Sequence, residues 1–189
     1  MNDKNVKIIS LSSEKWAEAA LEAIAAGGVA QLSIESLARE LGVTKGSFYW
    51  HYPNRSALIK AAVTLWAERE TEAVLERIDT EPEPRKRIEQ IVEEAVGNKR
   101  KAAIYLALAA ASDDPSIGPT FQRVVERRID YMANCFQQMG VAAPRHRALV
   151  AFSQYVGIMH TIRDAPESVP KKPEFEDFVK VAIETVIPH

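Results

Sequence analysis

Residues 33–58 read SIESLARELGVTKGSFYWHYPNRSAL. Ser33 is placed to cap a short helix whose apolar face is Ile34, Leu37, Ala38 and Leu41. Gly42 stops that helix, because a tight turn asks for the left-handed backbone that glycine adopts at little cost. Thr44 can cap a second short helix holding Phe48 and Tyr49, and Pro53 ends it, since proline disfavours the helical conformation of the residue before it. Ala38 is small where two helices crossing steeply must touch, while Leu37, Leu41, Val43 and Phe48 close the core beneath. This spacing is that of a helix-turn-helix, with the first turn of its second helix directed outward.

Working outward, the remainder also reads as helix, and no stretch alternates as a strand does. Ser12 or Ser13 can start a helix through Ala26, with Trp16, Ala20, Leu21 and Ile24 on one side and Gly27-Gly28 after it. Asn54 caps a helix that meets no glycine or proline until Pro82, so it can run to about Asp79. Pro84 suits a first helical position, ahead of the stripe Ile88, Ile91, Val92, Ala95, Val96. Lys101 to Ala111 is apolar on every side after its first residue and belongs inside a core. Asp113-Asp114-Pro115 is read as opening the next helix, with Gly118-Pro119 as a point where it can be interrupted, and it carries Phe121, Val124, Val125, Ile129, Met132, Phe136 and Met139 to a stop at Gly140. Pro144 begins a helix through about Arg163, 165–173 is a loop, and Glu174 to Ile187 is the last helix. The expected architecture is all-α with about nine helices: residues 1–12 as a mobile arm, 13–58 as a helix-turn-helix head, and 59–189 as a larger helical body.

Composition excludes several classes. With 189 residues, 47% of them hydrophobic, the chain can bury a core and is not a disordered segment. One cysteine, Cys135, makes no intramolecular disulfide. The N-terminus lacks the apolar core of a signal peptide, and the longest apolar run, Ala102–Ala111, is half the ~20 residues of a membrane span. A soluble, cytoplasmic protein is expected. No P-loop, GxSxG, HExxH or CxxC occurs, and the four histidines are scattered, so no catalytic, metal or cofactor site is expected. The net charge of −2 does not suit a general nucleic-acid coat, but Gln31–Lys60 carries four bases against two acids, which points to an anion-binding face there.

On that face, Lys45 can donate to guanine O6 or N7, Gly46 allows close approach of backbone to a groove wall, and Thr44 and Ser47 can donate hydroxyls to phosphate. The helix N-terminus adds backbone N–H groups and the positive end of its dipole. The run Gly42-Val43-Thr44-Lys45-Gly46-Ser47-Phe48-Tyr49-Trp50-His51-Tyr52-Pro53-Asn54-Arg55 resembles the turn and recognition helix of the TetR family of bacterial transcriptional regulators. The resemblance covers about Trp16 to Leu58, and beyond it only the helical layout agrees. It implies that Lys45, Gly46, Ser47, Tyr49 and Trp50 face the major groove. It also implies that Thr44, His51, Arg55 and the N-terminus of the helix capped by Ser33 hold phosphates. Trp50 has a competing expectation from its residue type, packing against the long fourth helix. Glu35 stands where some members of the family carry a base, and an acid there holds no phosphate; it either reads cytosine N4 or points away.

For the body, the resemblance implies ligand binding and dimerisation. Tyr105, Phe121, Phe136, Phe152, Tyr155 and Met159 are candidates to line a pocket, with His160 and Arg163 as polar candidates. The alternative is an ordinary filled core. Ser153, Gly157 and Thr161 recur at i, i+4, i+8, which permits close helix approach, and Phe175, Phe178 and Ala182 give the last helix an apolar face. The expected function is a homodimeric DNA-binding regulator, a repressor released from a near-palindromic operator by a small apolar effector. The alternatives are a regulator of the same fold without a small ligand and, from another class, a helical enzyme with an incidental helix-turn-helix.

Overall fold

The computed structural model of the chain describes residues 12–96, 98–171 and 174–187. Residues 1–11 of the expected arm lie outside them, as do the side chains of Ala95 and Val96. Among the described residues there is helix and no strand. The order is α1 (Ser13–Gly27), α2 (Ile34–Glu40), α3 (Lys45–Phe48), α4 (Arg55–Ala67), α5 (Ala73–Ile78), α6 (Pro84–Val96), α7 (Lys99–Ala110), α8 (Gly118–Gln138), α9 (Pro144–Asp164) and α10 (Glu174–Val186). A five-residue π segment, Glu68–Glu72, joins α4 to α5, so the two run as one rod and nine rods result among the described residues.

Side-chain caps set several starts. Ser12 Oγ accepts from Lys15 N at 3.3 Å, Ser33 Oγ from Ser36 N at 3.4 Å, Asn54 Oδ1 from Ala57 N at 2.9 Å and Asn98 Oδ1 from Lys101 N at 3.0 Å. Gly42 has φ +68°, the left-handed value the turn between α2 and α3 needs. The first helix therefore starts one residue after Ser12, the earlier of its two candidate caps.

Two expectations are corrected. The helix expected from Asp113 starts at Gly118, because Asp114 Oδ1 accepts from Ser116 N at 2.8 Å and folds 112–117 into a turn. Gly118 is then obligatory, since a Cβ there would lie 2.3 Å from the Ser112 carbonyl oxygen. The fourth helix is not uniformly α. Its π segment is a local register change that no glycine or proline announces.

The first three helices surround Trp16 and Phe48, both fully buried with ring centroids 5.4 Å apart in an edge-on pair. α4 packs on α1 at one end and on α8 at the other, and so links this head to the rest. In the body, α8 and α9 pack along their lengths, α7 lies against α1 and α9, and α10 covers α6 and α9. No described helix is long and apolar enough to cross a membrane.

Candidate nucleic-acid interface and body cavity

α3 is a single turn held from below by Phe48, which has no exposed surface, and steered by the backbone bond from Val43 N to Ala38 O at 2.9 Å. Its outward side carries Thr44, Lys45 and Gly46, all exposed, with Ser47 partly covered. Thr44 does not cap with its hydroxyl; Ser47 Oγ donates to the Thr44 carbonyl at 2.8 Å. Tyr49 is 58% and Trp50 88% exposed. The expected packing of Trp50 on the fourth helix is therefore absent: the turn after Phe48 carries position 50 away from the core that position 48 enters. Tyr52 completes the cluster against Phe48 and donates its hydroxyl to the Ser13 carbonyl at 2.8 Å.

Two charged groups of this face are engaged within the chain. Lys45 Nζ lies 2.6 Å from Glu35 Oε1, across the turn from α2. That hydrogen bond and its charge hold the Glu35 carboxyl below, and the Lys45 ammonium above, their ordinary values. Arg55, at the start of α4, donates Nε to the Leu32 carbonyl at 2.9 Å and Nη2 to the Val29 carbonyl. Its guanidinium thus fastens the short 3-10 turn Val29–Gln31 to α4, while Ser33 is committed to capping α2. His51 lies partly covered at the edge of the face.

The body has a partly open cavity with about 90 Å³ of free space, several times the ~10–15 Å³ one water requires. Of the eight side chains expected to line it, Tyr105, Phe152 and Tyr155 do. Phe121 stands behind, its ring stacked 5.9 Å from Trp66 and 5.2 Å from Tyr105. Phe136 and Met159 are buried in the ordinary core and do not reach the cavity. His160 and Arg163 are exposed and join Asp164 on the surface, at 3.4 and 2.6 Å. The rotation of α9 turns Phe152, Tyr155 and Ile158 inward and carries positions 160 and 163 to the solvent side, which is why residue type alone misassigns them.

Among the lining residues absent from the sequence reading are Trp66 and the polar side chains Glu70, Thr71, Glu94, Lys101, Arg128 and Gln154. Arg128 donates Nε to Thr71 Oγ1 at 3.0 Å and Nη2 to Thr71 Oγ1 at 2.8 Å and to the Glu70 carbonyl at 3.0 Å. Its guanidinium lies 5.3 Å from the centre of the Trp66 ring. The sequence held a signal for it: a charged residue at 128 interrupts the stripe Phe121, Val124, Val125, Met132 at a position where the helix faces inward. Burial pushes the Tyr105 hydroxyl up to about 12 and raises Tyr155 as well, so both remain protonated donors. Glu70 pairs with Lys101 at 3.0 Å and Arg100 at 3.4 Å, and Arg100 also bonds Glu22 of α1 with Nε at 2.8 Å. This chain of charges ties the π segment to the head.

On the surface, Ser153, Gly157 and Thr161 all face outward on α9, near exposed Leu149 and Val150. A Cβ at Gly157 would meet nothing within 4 Å. Phe175 and Phe178 are partly covered, whereas Ala182 turns inward onto the cavity. No group of His, Cys, Asp or Glu among the described residues could hold a metal ion.

Residues 17–62 match the family described as bacterial regulatory proteins, tetR family. Over 46 residues, 24% of this chain, it is 37% identical to the HTH-type transcriptional regulator SrpR of Pseudomonas putida. That stretch spans 22% of the relative's length. By fold, it is similar to a TetR-family transcriptional regulator from Agrobacterium tumefaciens, with TM-score 0.79 at 14% identity, covering 93% of this chain and 97% of that one. It is also similar to a protein from Saccharomonospora viridis in complex with choline, with TM-score 0.79 at 18% identity, covering 94% and 95%.

Proposed function

For a chain whose head resembles the TetR family in sequence and whose described length carries that family's all-α fold, we propose a homodimeric, sequence-specific DNA-binding regulator without enzymatic activity. It represses from a near-palindromic operator and is released by a small, largely apolar molecule. Residues 13–58 form the DNA-binding unit and 59–189 the ligand-binding and dimerisation unit.

The observation that carries the reading is the outward face of α3. An indole 88% exposed beside a phenyl ring with no exposure is unprofitable in water and useful against a groove. Gly46 agrees, because a Cβ there would meet only Thr44 Oγ1 at 3.7 Å, so nothing within the chain requires glycine. Lys45, Gly46, Ser47, Tyr49 and Trp50 meet the major groove; Thr44, His51 and the Ser33-capped N-terminus of α2 meet phosphates. Arg55 acts from behind, by positioning the 3-10 turn, and not through a phosphate.

Two heads are needed because one, near neutral overall, binds weakly, and a second bound head raises the effective concentration. The outward stripe Ser153, Gly157, Thr161 has no use within one chain and suits a second copy of α9 across a two-fold axis. The cavity beside the π segment suits an effector that tilts α4 and with it the head. A neighbour in fold that binds choline supports a small-molecule site in such a body.

The test is footprinting of purified protein on DNA upstream of its own and adjacent genes, with sedimentation of wild type and Gly157→Glu. A symmetric footprint that Gly157→Glu weakens as it lowers dimer content agrees with the proposal. A folded monomeric variant that protects the full site at wild-type affinity overturns the dimer, and no protected site overturns the regulator.

A further inference from the structure

The effector's charge can be read from the cavity wall. Its lining is mostly aromatic and aliphatic, with Thr71 and Gln154 as neutral polar groups, Glu70, Glu94 and Lys101 to one side, and Arg128 projecting from α8. Among the described residues no carboxylate pairs with Arg128, although the surface is rich in arginine–carboxylate pairs such as Arg69 with Glu14 and Glu18, both at 2.6 Å. The two acids of the cavity, Glu70 and Glu94, lie against other bases, Glu70 against Lys101 and Arg100 and Glu94 against Arg77 and Lys101. Arg128 instead bonds neutral acceptors, the Thr71 hydroxyl and the Glu70 carbonyl, with Nε and Nη2. A half-buried, always-charged guanidinium without a counter-ion, beside the protonated hydroxyls of Tyr105 and Tyr155, is a receptor short of its anion.

Building on the proposed regulator, the geometry points to a small organic carboxylate as the ligand of this cavity. Its hydrocarbon part lies among Tyr105, Phe152 and Tyr155 and its carboxylate on Arg128. The free volume of about 90 Å³ fits a single ring or a short chain. The position of Arg128 also gives such a ligand leverage. The guanidinium bonds the backbone and side chain of the π segment, so a carboxylate that takes its donors withdraws them from Glu70 and Thr71. Those residues lie in the rod that begins in the head at Arg55.

The experiment is calorimetric titration of the full-length protein with benzoate, phenylacetate and hexanoate, each beside its primary amide, and with choline. Each carboxylate is expected to bind at least about ten-fold tighter than its amide, the difference a hydrogen-bonded charge makes. Arg128→Gln, which keeps a donor for Thr71, is expected to remove that preference. Should that variant not fold, the wild-type carboxylate–amide ratios still decide. Equal binding of acid and amide, tighter binding of choline, or no binding by any compound overturns the inference. The same ligands are then added to the protein on its footprinted DNA. Carboxylates that bind and release DNA support both readings. Carboxylates that bind without changing DNA affinity support the anion site and overturn its use as a switch. If no DNA is bound at all, the calorimetric comparison stands by itself.

Discussion

The head and the body are built from the same material, helices with apolar faces, yet they solve opposite packing problems. In the head, Trp16, Ile24, Leu37, Phe48 and Leu58 fill the interior with almost nothing exposed, and the interesting chemistry lies on the outside. In the body, Tyr105 packs against Phe121, Phe152 and Tyr155, and beside these rings lies a cavity with charged groups on its wall. A rigid head is what a reader of fixed groove geometry requires, since base-edge hydrogen bonds tolerate little displacement. An incompletely filled body is what a two-state element requires, because a filled core resists rearrangement.

The largest effect expected from this contrast is at Phe48. Phe48→Ala deletes the ring that Trp16 and Tyr52 pack against, and such a truncation costs about 3–5 kcal/mol. DNA binding should be lost. If head and body are energetically separable, the variant still binds the ligands of the cavity. Urea unfolding followed by calorimetry reads this: loss of ligand binding along with the head would mean a single cooperative unit and break the comparison.

Arg55 comes next. It serves two carbonyls of the 3-10 turn, so Arg55→Gln should destabilise by about 1–3 kcal/mol, the cost of leaving partly buried acceptors unpaired. The salt dependence of residual DNA binding should stay as it was. A folded variant of unchanged stability whose salt slope falls by about one unit would return Arg55 to a phosphate.

A paired substitution sharpens the contrast. Ala38 in the head and Ala151 on the cavity wall are both buried alanines on helices. Ala38→Leu forces extra volume into a filled crossing and should cost about 1–3 kcal/mol. Ala151→Leu grows into open space and should gain about 0.5–2 kcal/mol while abolishing ligand binding. Thermal melts of the two variants decide it, and a loss of the same size at both positions would mean that the cavity is already full.

How far the sequence carried differs between the regions for a physical reason. The head's determinants are local. Ser33, Gly42, Asn54 and the spacing of Leu37, Ala38 and Phe48 each act within a few residues, so the helices and the turn were readable, while Trp50, expected to pack on the fourth helix, is exposed. The head's two charged contacts were not readable: Lys45 with Glu35 is ten residues apart across the turn, and Arg55 reaches back to Val29. In the body, the cavity depends on which side of four helices faces a common point. His160 and Arg163 carry suitable chemistry but lie on the wrong side of α9. Trp66 and Arg128 face inward from helices whose rotation only the packing fixes. The π segment has no breaker residue to announce it, since it is imposed by neighbours.

The smallest effect tests the head's outer face at its one intramolecular ion pair. Lys45 cannot offer its full charge to DNA while Glu35 holds it at 2.6 Å, and both side chains are largely exposed, so the pair is weak and exchangeable. On a preferred base, Lys45 gains an acceptor fixed in space, and leaving Glu35 is compensated. On arbitrary DNA only phosphate is offered, and Glu35 competes with it while repelling the backbone. On the proposed reading, Glu35 acts against non-specific binding more than against the operator. Glu35→Gln should leave the melting temperature unchanged, tighten binding to unrelated DNA more than to the operator, and steepen the non-specific salt slope by up to about one unit. Fluorescence anisotropy on both DNAs across a sodium chloride series measures all three quantities. Equal tightening on both DNAs would mean that Glu35 contributes only general repulsion, and an unchanged slope would mean that Lys45 does not meet phosphate.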